Sequence, residues 1–194
     1  MTKIAIVTGA SRGFGRGTAR ILASEAGYKV YATARTESAL HSLQKEVAES
    51  NAAGEVIPVV LDQSDDEAVA EFVRRVSASE EKIDLLVNSA YAGLIAMTPH
   101  FGKPFWERPI SVFDGSMDIG VRGAYVMSAL VAPAMVKAKN GLIVQISSYG
   151  GFAYVFDVGY GVAHAAMDRP ASRALCRFYG RPHYRVYWRT ARHD

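Results

Sequence analysis

Tyr160 and His164 stand four residues apart in "YGVAH", one helical turn. A phenol there can serve as an acid, with a charged neighbour to help it lose or regain a proton. Free tyrosine titrates near ~10, so the helper matters at neutral pH, and lysine, near ~10.4, would supply an almost permanent charge. Histidine, near ~6.5, is expected to be only about a quarter protonated at pH 7, which predicts weak support for Tyr160. Tyr160 also admits a second reading, as an aromatic packed among Gly and Val.

A second constellation lies at the start of the chain. "TGASRGFG" places Gly9, Gly13 and Gly15 directly after a short apolar run and before a helix-like segment. Glycines there permit a tight turn and close approach of a pyrophosphate, and a helix N-terminus offers N–H groups to the anion. Further on, Ala34-Arg35-Thr36 closes the second strand-like run, and Arg12 lies inside the glycine loop. Two guanidiniums and no carboxylate favour a ribose 2′-phosphate, hence NADP(H) over NAD(H).

The elements that must position these groups alternate regularly. "KIAIVTG", "YKVYATA", "EVIPVVLD", "KIDLLVNSA" and "GLIVQIS" are short, β-branched, apolar runs that read as buried strands. Between them, "GTARILASEAG", residues 37–50 and "SDDEAVAEFVRRVSAS" read as helices, the last with a Ser64 cap and acids in its first turn. A connection of about thirty residues containing "GKPFWERP" is expected to be a surface loop, leading to a helix through "GAYVMSALVAPAMVKAKN". The pattern predicts an α/β fold: a Rossmann-like, doubly wound parallel sheet in a three-layer αβα arrangement. "AHAAMD" begins another helix, in which Pro170 falls early enough to disrupt it, at about 3 kcal/mol if internal. After Gly180 and Pro182, "YRVYW" suggests a short sixth strand, so the C-terminal part of the fold is expected to be incomplete.

A chain of 194 residues, nearly half of them apolar, suits a single globular domain over 1–194. The longest largely apolar stretch, "ALVAPAMV", is short of a membrane span, and strand-like sequence from Lys3 argues against a secretory signal. Cys176 is the only cysteine, so no internal disulfide forms and a reducing cytoplasm is the expected compartment. The net charge of +3 is uneven: 15 Lys/Arg face 18 Asp/Glu up to residue 168, and seven Arg face one acid in 169–194. The tail carries no nucleic-acid motif, so it is expected to be a solvated end without a nucleic-acid partner.

Thr8-Gly9-x-x-x-Gly13-x-Gly15, followed in order by "VNSA", "ISSYGG" and "YGVAH", resembles the short-chain dehydrogenase/reductase family over about residues 3–168. "VNSAYAG", "FWERP", "VRGAY" and "ISSYGG" point to one branch within it. The resemblance implies hydride transfer between NADP(H) and a small-molecule carbonyl or alcohol. It implies a cofactor site at Thr8, Gly9, Ser11, Arg12, Gly13, Phe14, Gly15 and Arg35. Asp62 would meet the adenine, Asn88 and Ala90 would line the cofactor channel, and Tyr160 and His164 would flank the nicotinamide end. Ser148, with Gly151 three residues on, matches the serine that holds the substrate oxygen, with Ser147 the weaker candidate, and Tyr160 matches the acid. The family's asparagine is Gly120 here and its lysine is His164. Its further strand ending in Pro-Gly has no counterpart in "VYWRTARHD". The family commonly forms homo-oligomers through the helices after the fourth and fifth strands. Phe101, Phe105, Trp106, Phe152, Tyr154 and Phe156 would either wall an apolar substrate pocket or belong to the core. No metal site is expected. The alternative to a reductase is a non-catalytic nucleotide-binding protein that keeps the cofactor loop.

Overall fold

The structure is a computed structural model and describes residues 2–174 and 189–190. Five of its strands are the expected β-branched runs: β1 (Ile4–Thr8), β2 (Lys29–Ala34), β3 (Glu55–Val60), β4 (Leu85–Asn88) and β5 (Leu142–Ser147). A two-residue β6 (Arg189–Thr190) pairs with Ile146 and Ser147. All pairings are parallel, in the order β3-β2-β1-β4-β5-β6. The expected strand at 184–188, with Cys176, Gly180, Pro182 and most of the basic tail, lies outside the described residues.

Helices cover both faces, because each parallel pairing needs a crossover connection and those connections lay helices on the sheet. On one face α1 (Gly13–Ser24) and α2 (Glu37–Glu49) bring Ala19, Ala23, Leu40, Leu43 and Val47 onto Val7, Val30 and Val87. On the other, α3 (Asp66–Ser79) sets Val69, Phe72, Val73 and Val76 against Ile6 and Leu86. Met127, Val131 and Met135 complete that second core from the long helix after β4.

Several local expectations are corrected. α1 begins at Gly13 rather than Gly17, so the last two loop glycines belong to its first turn. The cap of α3 is Asp65, which accepts the Ala68 N–H at 3.0 Å, because the Ser64 hydroxyl is given to Asp62 at 2.7 Å. The long connection is ordered as α4 (Gly93–Met97), two 3₁₀ turns (Thr98–His100 and Phe105–Glu107) and α5 (Ile110–Ser116). α5 continues through a π-helical turn (Met117–Gly123) into α6 (Ala124–Ala138). The joined helix Ile110–Ala138 has the length and composition to cross a bilayer, unlike the short stretch read from sequence, but its C-terminal half is a layer of this sheet. α7 (Val158–Ala174) starts earlier than expected and runs through Pro170 rather than breaking at it. Asp157 starts it, accepting the N–H groups of Gly159 and Tyr160 at 2.6 and 3.3 Å.

Candidate active site

The strand order reverses between β1 and β4, where connections leave on opposite faces and open a crevice at the strands' carboxyl ends. A cavity of about 810 Å³ occupies that crevice. Its floor is the turn after β1. Gly9 has φ +68°, and a Cβ there would lie 2.7 Å from the Ala90 Cα. Only glycine fits both constraints. A Cβ on Gly15 would run into the Gly9 carbonyl, so the start of α1 is pressed against the turn. Thr8 Oγ1 accepts the N–H groups of Ser89 and Ala90 at 3.0 and 3.1 Å, bracing the two loops together.

Of the residues that the resemblance assigns to a cofactor site, Gly9, Ser11, Arg12, Gly13, Phe14, Gly15, Arg35, Asp62 and Ala90 line the cavity. Thr8 and Asn88 instead stand behind it. Asn88 is buried and donates to Ser128 Oγ at 2.9 Å, and its Oδ1 is buried without a hydrogen-bond partner among the described residues. Arg35 is exposed and lies 4.0 Å from the Asp62 carboxylate. Hydrogen bonds from the Ser64 hydroxyl and backbone hold the Asp62 carboxyl below its ordinary range, with a smaller contribution from Arg35. The cradle fits a dinucleotide: close-approach glycines, a helix N-terminus for the pyrophosphate, and two arginines at the adenosine end.

At the other end of the same cavity stand Ser148, Tyr160 and His164. Ser148 opens the turn Tyr149–Gly151, and its Oγ accepts the Gly150 N–H at 3.1 Å. A Cβ on Gly150 would lie 2.6 Å from Tyr160 Cδ1 and 3.2 Å from Ser148 Oγ. That glycine therefore lets the serine turn and the phenol ring pack directly together. Tyr160 and His164 are 7% and 6% exposed, with ring centroids 4.2 Å apart. Ser147 and Ser148 both line the cavity, and Ser147 Oγ also lies 3.3 Å from His164 Nδ1. Burial pushes the His164 pKa down to about 4. The expected quarter-charge at pH 7 is therefore corrected: the imidazole is neutral. Its Nε2 is buried without a hydrogen-bond partner among the described residues.

The aromatic wall is corrected too. Phe101, Phe105, Trp106, Phe152, Tyr154 and Phe156 are all exposed and none lines the cavity, so they are neither core nor pocket wall. Leu94, Ile95 and Ile119 supply the apolar lining, and Phe156 packs edge-on against Tyr160 at 5.4 Å. A second cavity of about 590 Å³, between the C-terminal parts of α3 and α6, holds none of the residues expected in the site. No cluster able to hold a metal occurs among the described residues.

Comparison with known proteins decides the family. The sequence profile of the short chain dehydrogenases matches residues 3–175. The chain belongs to the short-chain dehydrogenase/reductase family.

Dehydrogenase/reductase SDR family member 1 of Mus musculus is 42% identical over 171 residues, covering 88% of this chain and 54% of that protein. It heads the branch that "VNSAYAG", "FWERP", "VRGAY" and "ISSYGG" resemble. The 3-oxoacyl-[acyl-carrier-protein] reductase of Thermotoga maritima is 32% identical over 149 residues, 77% of this chain and 56% of that one. The chain thus spans about half the length of these relatives. Among solved structures, a metagenomic short-chain oxidoreductase in complex with NADP superposes with a TM-score of 0.78 at 31% identity, covering 89% of this chain and 74% of that one. An alcohol dehydrogenase of Thermococcus sibiricus complexed with 5-hydroxy-NADP gives 0.78 at 25% identity, covering 90% and 70%.

Set beside the family pattern, the site holds three groups that sequence reasoning passed over. Tyr91 packs edge-on against Tyr160 at 5.8 Å and tilted against His164 at 5.1 Å. Asp157 caps the turn that carries Tyr160 and is paired with Arg108 at 2.6 Å. Gly150 makes the contact between the serine turn and the phenol. All three lie within quoted motifs or a few residues from Tyr160. Their neighbours across the fold, rather than their spacing, reveal what they do.

Proposed function

We propose that this chain binds NADP(H) and transfers hydride between its nicotinamide and a hydrophobic carbonyl or alcohol. The observation that carries the reading is convergence. One cavity at the switch point holds the glycine cradle and Arg12 and Arg35 at one end, and Ser148, Tyr160 and His164 at the other. When bound, the cofactor supplies the hydride. Ser148 holds the substrate oxygen, Tyr160 gives that oxygen its proton, and Leu94, Ile95 and Ile119 keep the reacting end apolar. The NADP complex of the superposed oxidoreductase supports the choice of cofactor.

Fluorescence titration tests the cofactor end. NADPH should bind more tightly than NADH, and Arg35→Asp should reduce or reverse that preference by about tenfold or more, because a carboxylate repels the 2′-phosphate. Equal affinities in the unmodified protein would contradict it.

A specific observation favours a second reading, a nucleotide-binding protein without turnover. His164 is neutral at pH 7, so no cation stands at its position beside Tyr160. Tight NADPH binding without single-turnover reduction of an aromatic aldehyde would select that reading.

A further inference from the structure

Gly120 and Tyr91 are complementary in volume. A Cβ built on Gly120 would stand 2.7 Å from Cδ2 and 2.9 Å from Cε2 of the Tyr91 ring. The space that a side chain at position 120 would enter is therefore filled from the loop after β4. The ring is held at its far end as well. The Tyr91 hydroxyl donates to Ser116 Oγ at 3.1 Å, and Ser116 Oγ donates to the Val112 carbonyl at 3.2 Å, fastening the ring to α5. A Cβ on Gly93 would collide with both the Tyr91 hydroxyl and Ser116 Oγ, so that anchor also needs a glycine. Burial raises the Tyr91 pKa, so its phenol remains protonated and continues to donate. On its other side the ring meets both Tyr160 and His164.

We propose that Tyr91 is a positioning residue for Tyr160 and His164, substituting in volume for a side chain at position 120. The turn Met117–Gly123 is π-helical, and a glycine within it lets the aromatic ring come up against its backbone. Tyr91 then forms the back support of the phenol, while Gly150 and the serine turn press on it from another side. Any shift of the ring tilts Tyr160 relative to Ser148, and errors of this kind are expensive for proton transfer. This inference rests on the reductase reading for its effect on rate, but not for its effect on geometry.

The test uses the full chain and three readouts: NADPH affinity by fluorescence, single-turnover aldehyde reduction, and NMR of ¹³C-labelled histidine at His164. Gly120→Ala forces a methyl into the ring, and Tyr91→Ala removes the ring. Each should slow turnover about tenfold while NADPH affinity stays within about twofold. Each should also move the His164 resonances, which two neighbouring aromatic rings shift. The exchange Gly120→Asn with Tyr91→Gly should recover most of the rate. Tyr91→Phe keeps the ring but loses the Ser116 anchor, so it should lose about threefold, and it keeps the question readable if Gly120→Ala does not fold. Rate losses that simply multiply in the exchange variant, or His164 resonances that stay fixed in both single variants, would overturn the proposal. If the unmodified chain shows no turnover, the reductase reading falls, and the His164 resonances alone decide whether Tyr91 positions the pair.

Discussion

His164 shows how far burial can move a residue from its ordinary chemistry. Its pKa of about 4 lies well below the ~6.5 of an unfolded histidine, so the fold favours the neutral ring. Stability from this source is fully present above about pH 6.5 and is lost as pH falls toward 4, because the unfolded chain takes up the proton first. The loss should reach about 2 kcal/mol at pH 5. Urea unfolding at pH 7 and pH 5 should show it as a difference that His164→Gln removes; equal pH dependence in both proteins would contradict the assignment. On the proposed reductase reading, the same residue is what limits the proton donor. Lysine's ordinary value of ~10.4 lies far enough above neutrality for it to keep its charge there despite a burial penalty. His164→Lys should therefore raise NADPH-dependent aldehyde reduction by about tenfold, which needs only ~1.4 kcal/mol of barrier. An unchanged rate with NADPH bound would show that charge at this position is not what limits Tyr160.

The helix that bears Tyr160 is tied to the connection between β4 and β5. Arg108, in the "FWERP" segment, pairs with Asp157, and both side chains are almost wholly buried, 6% and 5% exposed. Arg108 also donates to the carbonyls of Lys103 and Phe156, so a stretch that reads as a surface loop is fastened to the start of α7. Arg108→Ala leaves Asp157 buried and unpaired beneath the turn it caps, and chemical denaturation should show a loss of about 3–5 kcal/mol. A loss under about 1 kcal/mol would place the pair among exposed bridges of little weight. Ordering in this connection was hidden from sequence because its Pro and aromatic content is that of a loop. The anchoring partner lies 49 residues away. For the same reason the π-helical turn that fuses α5 to α6 has no local signature, whereas the five strands announce themselves as short, apolar, β-branched runs.

Across the whole molecule, two apolar cores on opposite faces of one parallel sheet hold β1 and β4 side by side, and the site follows from their junction. The glycine loop, Arg12, Arg35, Ser148 and Tyr160 were legible because the chemistry of each depends on residue type and order along the chain. The neutrality of His164, the exposure of the six aromatics and the retreat of Thr8 and Asn88 behind the cavity wall were not. Those properties depend on what other elements bring near, which no spacing records. The central claim is that Tyr160 donates the proton at an NADPH site. It is tested most directly by the single-turnover rate of NADPH oxidation with an aromatic aldehyde, in the unmodified chain and in Tyr160→Phe at saturating NADPH. Tyr160→Phe should bind NADPH within about twofold of the unmodified chain and lose at least about a hundredfold in rate, the contribution of a general acid. Equal rates in the two proteins would contradict it.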